Sequence, residues 1–102
     1  MEFSAELDEG PPRTLQVSGT IDITTVEQFA EHLDSAGRGG VRPLVVDLTA
    51  VHVLASPGVR ALFTARDRHD THDTPLTIVV VPGGVAAQIL DLVGLSHAGP
   101  DR

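Results

Sequence analysis

The sequence contains no cysteine, no tryptophan, no tyrosine and no lysine, and each absence excludes a class of function. Without cysteine there is no disulfide, no thiol nucleophile and no thiolate ligand of the kind that most structural zinc sites use. Without tryptophan and tyrosine the chain lacks the side chains that usually stack on bases or anchor a ligand pocket. A recognition surface on this protein is therefore expected to be aliphatic and polar.

Positive charge is also scarce, with seven arginines against 14 acidic residues and a net charge of −7. Phosphate backbones and anionic lipids repel such a chain, so nucleic acid is not an expected partner. The sequence does not open with a basic region followed by an apolar run, and its apolar runs are too short to span a bilayer. We expect a cytoplasmic protein that does not insert into membranes.

The length of 102 residues and the 41% hydrophobic content are typical of one globular domain. We expect a single domain over residues 1–102, with its core over about 3–95. The polar tail 96–102 contains a Gly-Pro pair and is expected to fray.

Periodicity predicts four strands. Alternating apolar residues indicate strands at 3–7 and 14–18, joined by the glycine- and proline-rich turn 8–13. Two runs rich in β-branched residues, 43–48 and 76–81, indicate further strands of a composition that suits coverage on both faces.

Apolar residues at helical spacing predict three helices. The first follows a capping box formed by Thr24 and Glu27 and ends near Gly37. The second fades over the polar stretch 67–73, and the third is closed by Gly94. The order β-β-α-β-α-β-α predicts an α/β fold with a mixed sheet of four to five strands, parallel where helices form the crossovers.

Three segments taken together resemble the STAS domain family: Val-Ser-Gly-Thr-Ile-Asp at 17–22, Leu-Val-Val-Asp-Leu at 44–48 and Val-Leu-Ala-Ser-Pro-Gly-Val at 53–59. In that family the second strand commonly ends in a Gly-Glu-hydrophobic-Asp turn, the central strand in Asp-Leu, and a strand-to-helix loop in Asp-Ser-Ser/Thr-Gly-Leu. The resemblance covers roughly residues 3–95. It implies a bacterial anti-sigma factor antagonist, which binds an anti-sigma factor, usually a serine kinase, and so frees a sigma factor to direct transcription.

The resemblance also implies the partner-binding residues, which are Asp22, Thr24, Ala55, Ser56, Pro57, Gly58 and Arg60. The phospho-acceptor position of the family falls on Pro57, and its acidic neighbour falls on Ala55. The usual phosphorylation switch is therefore absent, and we expect binding that phosphorylation at this position does not abolish.

Several of these residues have a second interpretation. Ser56 suits an N-cap with Pro57 at the first helical position, which is the favoured interpretation, but it could itself be phosphorylated at a helix N-terminus. Asp22 fits either an Asx-type turn or a partner contact. Asp47 fits either a crevice beyond the strand ends or an ordinary capping or turn role.

Catalysis is not predicted, because no Gly-x-Ser-x-Gly elbow surrounds Ser56. The stretch 69–73 holds two histidines and two aspartates but no third strong ligand at a recognisable spacing, so it is interpreted as a solvated helix end and not as a metal site. The pair Gly83-Gly84 lacks a phosphate-binding pattern and is interpreted as a tight turn. We expect no cofactor.

Two alternatives remain open. STAS-like domains also occur as non-enzymatic subunits of lipid-transport ATPases or of larger signalling assemblies. In addition, family members often carry a last short strand and helix where this sequence has only 96–102. Either the fold is trimmed, or a second copy covers the exposed sheet edge in a homodimer.

Overall fold

The computed structural model describes residues 3–99. Its elements are β1 (Phe3–Asp8), β2 (Thr14–Ile21), α1 (Val26–Gly37), a 3-10 turn (Arg38–Gly40), β3 (Leu44–Leu54), α2 (Ser56–Thr71), β4 (Leu76–Val79) and α3 (Val85–Val93). This order confirms the predicted α/β arrangement.

The sheet has the strand order β1-β2-β3-β4 in the described part of the chain. β1 pairs with β2 antiparallel, while β2 with β3 and β3 with β4 pair parallel. The two parallel pairs are connected through α1 and α2. Right-handed crossovers that step in the same direction place both helices on the same face of the sheet.

One face of the sheet therefore carries the core. Alternate strand residues point into it and join the buried residues of all three helices in one cluster. The most deeply buried side chains of that cluster are Phe29, Leu15, Ile21, Leu48, Leu62, Leu90, Val46 and Val80.

The opposite face of the sheet is only partly covered. Val45 and Asp47 on β3 are half-buried, and Thr77 on β4 is exposed. The expectation of coverage on both faces is wrong, because the three helices pack on one side. Asp47 lies within β3, and its Oδ1 accepts hydrogen bonds from the Thr49 backbone N–H at 2.9 Å and hydroxyl at 2.7 Å. This bonding is the local turn-type role and not a crevice position.

The end of α2 is solvated as expected at 70–73, but His69 departs from that expectation. The helix runs to Thr71, and His69 is only 2% exposed. It packs against Gly37 at the end of α1, where an added Cβ would lie 2.7 Å from His69 Nε2. His69 is therefore a core residue, because α1 passes over the last turn of α2 at a position that has no side chain.

The last described residues are held by the sheet. Ala98 N–H donates to Ile78 O at 2.8 Å, and Val80 N–H donates to Ala98 O at 2.9 Å. The expected fraying is therefore wrong for 96–99, and the rest of that tail lies outside the described residues. Ala98 therefore covers the end of the β4 edge, and this part of the edge gives no support to a covering second copy.

The third helix closes at Gly94 as predicted, and this glycine adopts the left-handed conformation with φ 78°. No helix within residues 3–99 is long and apolar enough to cross a membrane.

Candidate functional site

The carboxyl ends of β2 and β3 bring the two predicted loop segments together. Ile21 and Leu54 are register partners in the parallel pair, and Ala55 N–H donates to Ile21 O at 2.9 Å. Asp22 is the residue after Ile21, and Ser56 is the residue after Ala55, so this hydrogen bond joins the starts of the two loop segments. The end of parallel strands is where α/β folds commonly place binding sites. We call the predicted residues here the strand-end surface: Asp22, Thr24, Ala55, Ser56, Pro57, Gly58 and Arg60.

Asp22 forms an Asx turn. Its Oδ1 accepts hydrogen bonds from the Thr24 backbone N–H at 2.9 Å and the Thr24 hydroxyl at 2.6 Å. These bonds, the hydroxyl first, lower the pKa of the Asp22 carboxyl below its usual value. The turn therefore presents a fixed, ionised carboxylate at neutral pH.

Thr25, which sequence reasoning passed over, joins β2 to α1. Its Oγ1 accepts a hydrogen bond from Asp22 N–H at 3.0 Å and donates to Thr20 O at 2.9 Å. The N-cap of α1 is Thr25 and has no side-chain cap bond, so the predicted capping box of Thr24 and Glu27 is wrong. Thr24 and Thr25 are each followed three residues later by Glu or Gln, so the sequence pattern of a helix start fits both. The path of the chain out of β2 decides that Thr25 is the N-cap.

α2 begins one residue earlier than predicted. Its N-cap is Ala55, in an extended conformation with φ −87° and ψ 167°, and no side chain caps the helix. The backbone oxygen of Ala55 accepts hydrogen bonds from the N–H groups of Gly58 at 2.9 Å and Val59 at 3.2 Å. The prediction that Ser56 caps the helix is therefore wrong, because the bond from Ala55 to β2 fixes the end of the strand there.

Ser56 and Pro57 consequently occupy the first two positions of α2. Pro57 fits because backbone N–H groups in the first turn have no partner within the helix. Ser56 is exposed. A hydroxyl at this position is open to solvent beside the N-terminal end of a 16-residue helix.

Gly58 sets how closely α2 approaches the sheet. A Cβ at this position would lie 2.5 Å from Ile21 Cγ2 and 2.9 Å from Leu54 Cδ1. Both contacts are far shorter than van der Waals distance. The absence of a side chain therefore lets the first turn of α2 rest directly on the ends of β2 and β3.

Arg60 lies on the rim of a groove between α2 and α3 with a volume of about 600 Å³. The groove is lined by Leu54, Ala55, Ser56, Val59, Arg60, Phe63, Ile89 and Val93, of which only Arg60 is charged. Phe63 and Ile89 are partly buried and also pack against the core. The i, i+4, i+8 spacing places Val85, Ile89 and Val93 on one side of α3, but the buried Ala86 and Leu90 have the same spacing, so no signal in the sequence separates the two stripes.

The remaining candidate sites are not assembled. Among residues 3–99 no group of three or more potential metal ligands comes together. No hydrogen bond links Ser56 to a histidine within the same range, and the His97 ring bonds Asp91 Oδ1 at 2.7 Å instead. The strand-end surface combines a fixed carboxylate, an exposed hydroxyl and a cation, and it adjoins an apolar groove.

Comparisons with known proteins cover nearly the whole chain. A family model for the STAS domain matches residues 3–99. An anti-sigma factor antagonist from Mycobacterium paratuberculosis has a similar structure, with a TM-score of 0.79 and 20% identity over 95% of this chain and 86% of that one. The anti-sigma factor antagonist SpoIIAA in its unphosphorylated form gives a TM-score of 0.69 at 14% identity, over 97% of this chain and 89% of that one. A STAS-domain antisigma-factor antagonist from Rhodobacter sphaeroides gives 0.58 at 20% identity, over 74% and 84%.

Proposed function

Because the chain belongs to the STAS domain family, we propose that it is an anti-sigma factor antagonist, a non-enzymatic module that binds an anti-sigma factor and so regulates transcription. The family model confirms the resemblance found in the three sequence segments. The observation that carries the proposal is the junction at which Ala55 N–H bonds Ile21 O, since it unites two of those segments in one surface.

The partner contacts the strand-end surface. Asp22 supplies an ionised acceptor, Ser56 a solvent-exposed hydroxyl and Arg60 a cation, and the surface is continuous with the groove between α2 and α3. Polar and charged groups around an apolar centre are the usual anatomy of a protein interface. The partner proposed here is an anti-sigma factor with a serine-kinase-like fold.

Phosphorylation does not switch this binding off at position 57. Proline has no hydroxyl to accept a phosphoryl group, and Ala55 removes the carboxylate that precedes the acceptor in the resembling motif. Within the strand-end surface, Ser56 carries the hydroxyl group nearest in sequence to position 57. Pro57 beside it changes the backbone that a kinase would recognise. The amount of this protein in the cell, or an input other than phosphorylation at position 57, then regulates formation of the complex.

The test is capture of the tagged chain from its own cell extract, with mass spectrometry of partners and of Ser56. Recovery of an anti-sigma factor with unmodified Ser56 is expected. A phosphate on Ser56 would overturn the switchless mechanism while leaving the antagonist function in place. Recovery of a transport ATPase, with no anti-sigma factor, would replace the proposal with the ATPase-subunit alternative.

A matched variant sharpens the switch experiment. Pro57→Ser restores a hydroxyl at the acceptor position without altering net charge. When both proteins are incubated with the captured kinase and ATP, Pro57→Ser is expected to gain one phosphate and the unmodified chain none. Equal incorporation into both proteins would show that the acceptor lies elsewhere.

A further inference from the structure

α3 is apolar on almost every side. Within Val85–Val93 only Gln88 and Asp91 are polar. Its buried residues are Ala86, Ala87 and Leu90, whereas Val85, Leu92 and Val93 are 58%, 87% and 43% exposed. A helix that is hydrophobic all round is normally covered all round. The outer face of α3 therefore lacks its cover in the isolated chain.

The uncovered face continues into the groove beside α2. Ile89 and Val93 from α3 face Val59 and Phe63 from α2 across it. Together they form an apolar channel that opens onto the strand-end surface at Ser56. An apolar surface joined to a polar binding surface is the usual form of an interaction site.

Charge identifies the kind of occupant. Arg60 is the only charged residue that lines the groove, and it makes no ion pair with any residue in 3–99. By contrast, Arg66 lies 4.8 Å above the Phe63 ring and is paired with Asp67 at 3.1 Å. An unpaired cation on an apolar rim suits a segment that is apolar along its length and carries a carboxylate.

We propose that the groove binds an amphipathic helix of the anti-sigma factor, with its apolar stripe against Ile89, Val93 and Phe63 and an Asp or Glu paired with Arg60. This inference rests on the proposed function. A gap between two helices receives a third helix by packing of ridges into grooves. α3 has nine residues, so at about 1.5 Å per residue the occupant contributes roughly two to three turns.

A second copy of this chain fits the groove less well. Each copy carries a net charge of −7, so two copies repel each other. The carboxylate next to the α3 stripe, Asp91, is already held by His97 at 2.7 Å. This carboxylate is therefore already engaged and is not free to pair with Arg60 of a second copy.

The experiment measures the affinity of the purified chain for the captured anti-sigma factor. Val93→Asn places a polar group in the groove, and Val41→Asn is its matched control, since Val41 is 55% exposed and does not line the groove. Loss of an interface anchor is expected to weaken binding by about 10-fold or more for Val93→Asn, against less than about twofold for Val41→Asn. Thermal unfolding confirms that both variants are folded.

The contribution of the Arg60 charge is tested by the same affinity measurement. Arg60→Glu is expected to weaken binding at least as much as Val93→Asn, and a glutamate in the N-terminal part of α2 is compatible with the helix dipole. Arg42→Glu alters net charge equally, away from the groove, and is expected to have little effect. Reversing the partner carboxylate to Arg should then restore binding to Arg60→Glu.

A photo-crosslinking residue at position 93 identifies the occupant. Crosslinks to residues of one helix of the anti-sigma factor, three or four apart, are expected. Crosslinks to another copy of this chain, or wild-type affinity of Val93→Asn, would overturn the groove assignment alone. Failure of the unmodified chain to bind any anti-sigma factor would overturn the proposed function and this inference together.

Discussion

Gly58→Ala separates two opposing effects at the base of the strand-end surface. Within a helix, alanine is favoured over glycine by about 1 kcal/mol, so helix propensity alone predicts stabilisation. The added Cβ would, however, lie 2.5 Å from Ile21 Cγ2 and 2.9 Å from Leu54 Cδ1. These side chains are 0% and 5% exposed and cannot swing into solvent.

Overpacking of this kind typically costs about 1–3 kcal/mol, which exceeds the gain in propensity. The net expectation is a loss of roughly 1 kcal/mol in the free energy of unfolding, or about 4–8 °C in Tm for a domain of this size. Because α2 must lift from the ends of β2 and β3, partner affinity should fall as well. Urea unfolding followed by circular dichroism measures the first effect, and titration with the anti-sigma factor measures the second.

Thr64→Ala is the control for helix propensity. Thr64 is exposed on the same helix, so its replacement changes propensity without creating a clash. We expect this variant to be neutral or slightly more stable. If Gly58→Ala is also as stable as the unmodified chain, then the close approach of α2 to Ile21 does not require glycine and the packing argument is wrong.

Three further predictions concern stability. Thr25→Val leaves the Asp22 N–H and Thr20 carbonyl without their side-chain partner and should lose about 1–3 kcal/mol, whereas Thr25→Ser should retain most of the stability in the same urea assay. Burial lowers the pKa of His69 below its usual value, so the unfolded chain binds a proton that the folded chain resists. Stability should therefore be constant above about pH 6.5 and fall as pH decreases below it. A Tm profile equally steep in His69→Gln would contradict this assignment. Gly94 has φ 78° with nothing within 4 Å of an added Cβ, so Gly94→Ala should lose about 1–2 kcal/mol by backbone strain alone, and Gly94→Asn less.

Some elements were predictable because their signals are local. The three helices and four strands appear in the predicted order, since a helical or alternating pattern is carried by residues close together in the chain. The end of α3 at Gly94 was also predictable, because glycine readily adopts the left-handed conformation that closes a helix. The motif segments were sufficient to indicate the STAS family, which the family model over 3–99 confirms.

The errors lie where distant segments meet. Choosing Thr25 over Thr24 as the N-cap of α1, and Ala55 over Ser56 in α2, depends on how β2 ends and on its pairing with β3. His69 looked like a surface residue because its neighbours in sequence are polar, but α1 buries it.

The sequence by itself determined the type and order of the elements and was sufficient to indicate the family, because both are written in residue identity or short-range spacing. Only the tertiary structure decided that one face of the sheet is left partly open and that Ile89 and Val93 of α3 line a groove with Arg60 of α2. Which side of an apolar helix is buried depends on the surfaces packed against it. Those surfaces come from residues far away in the chain.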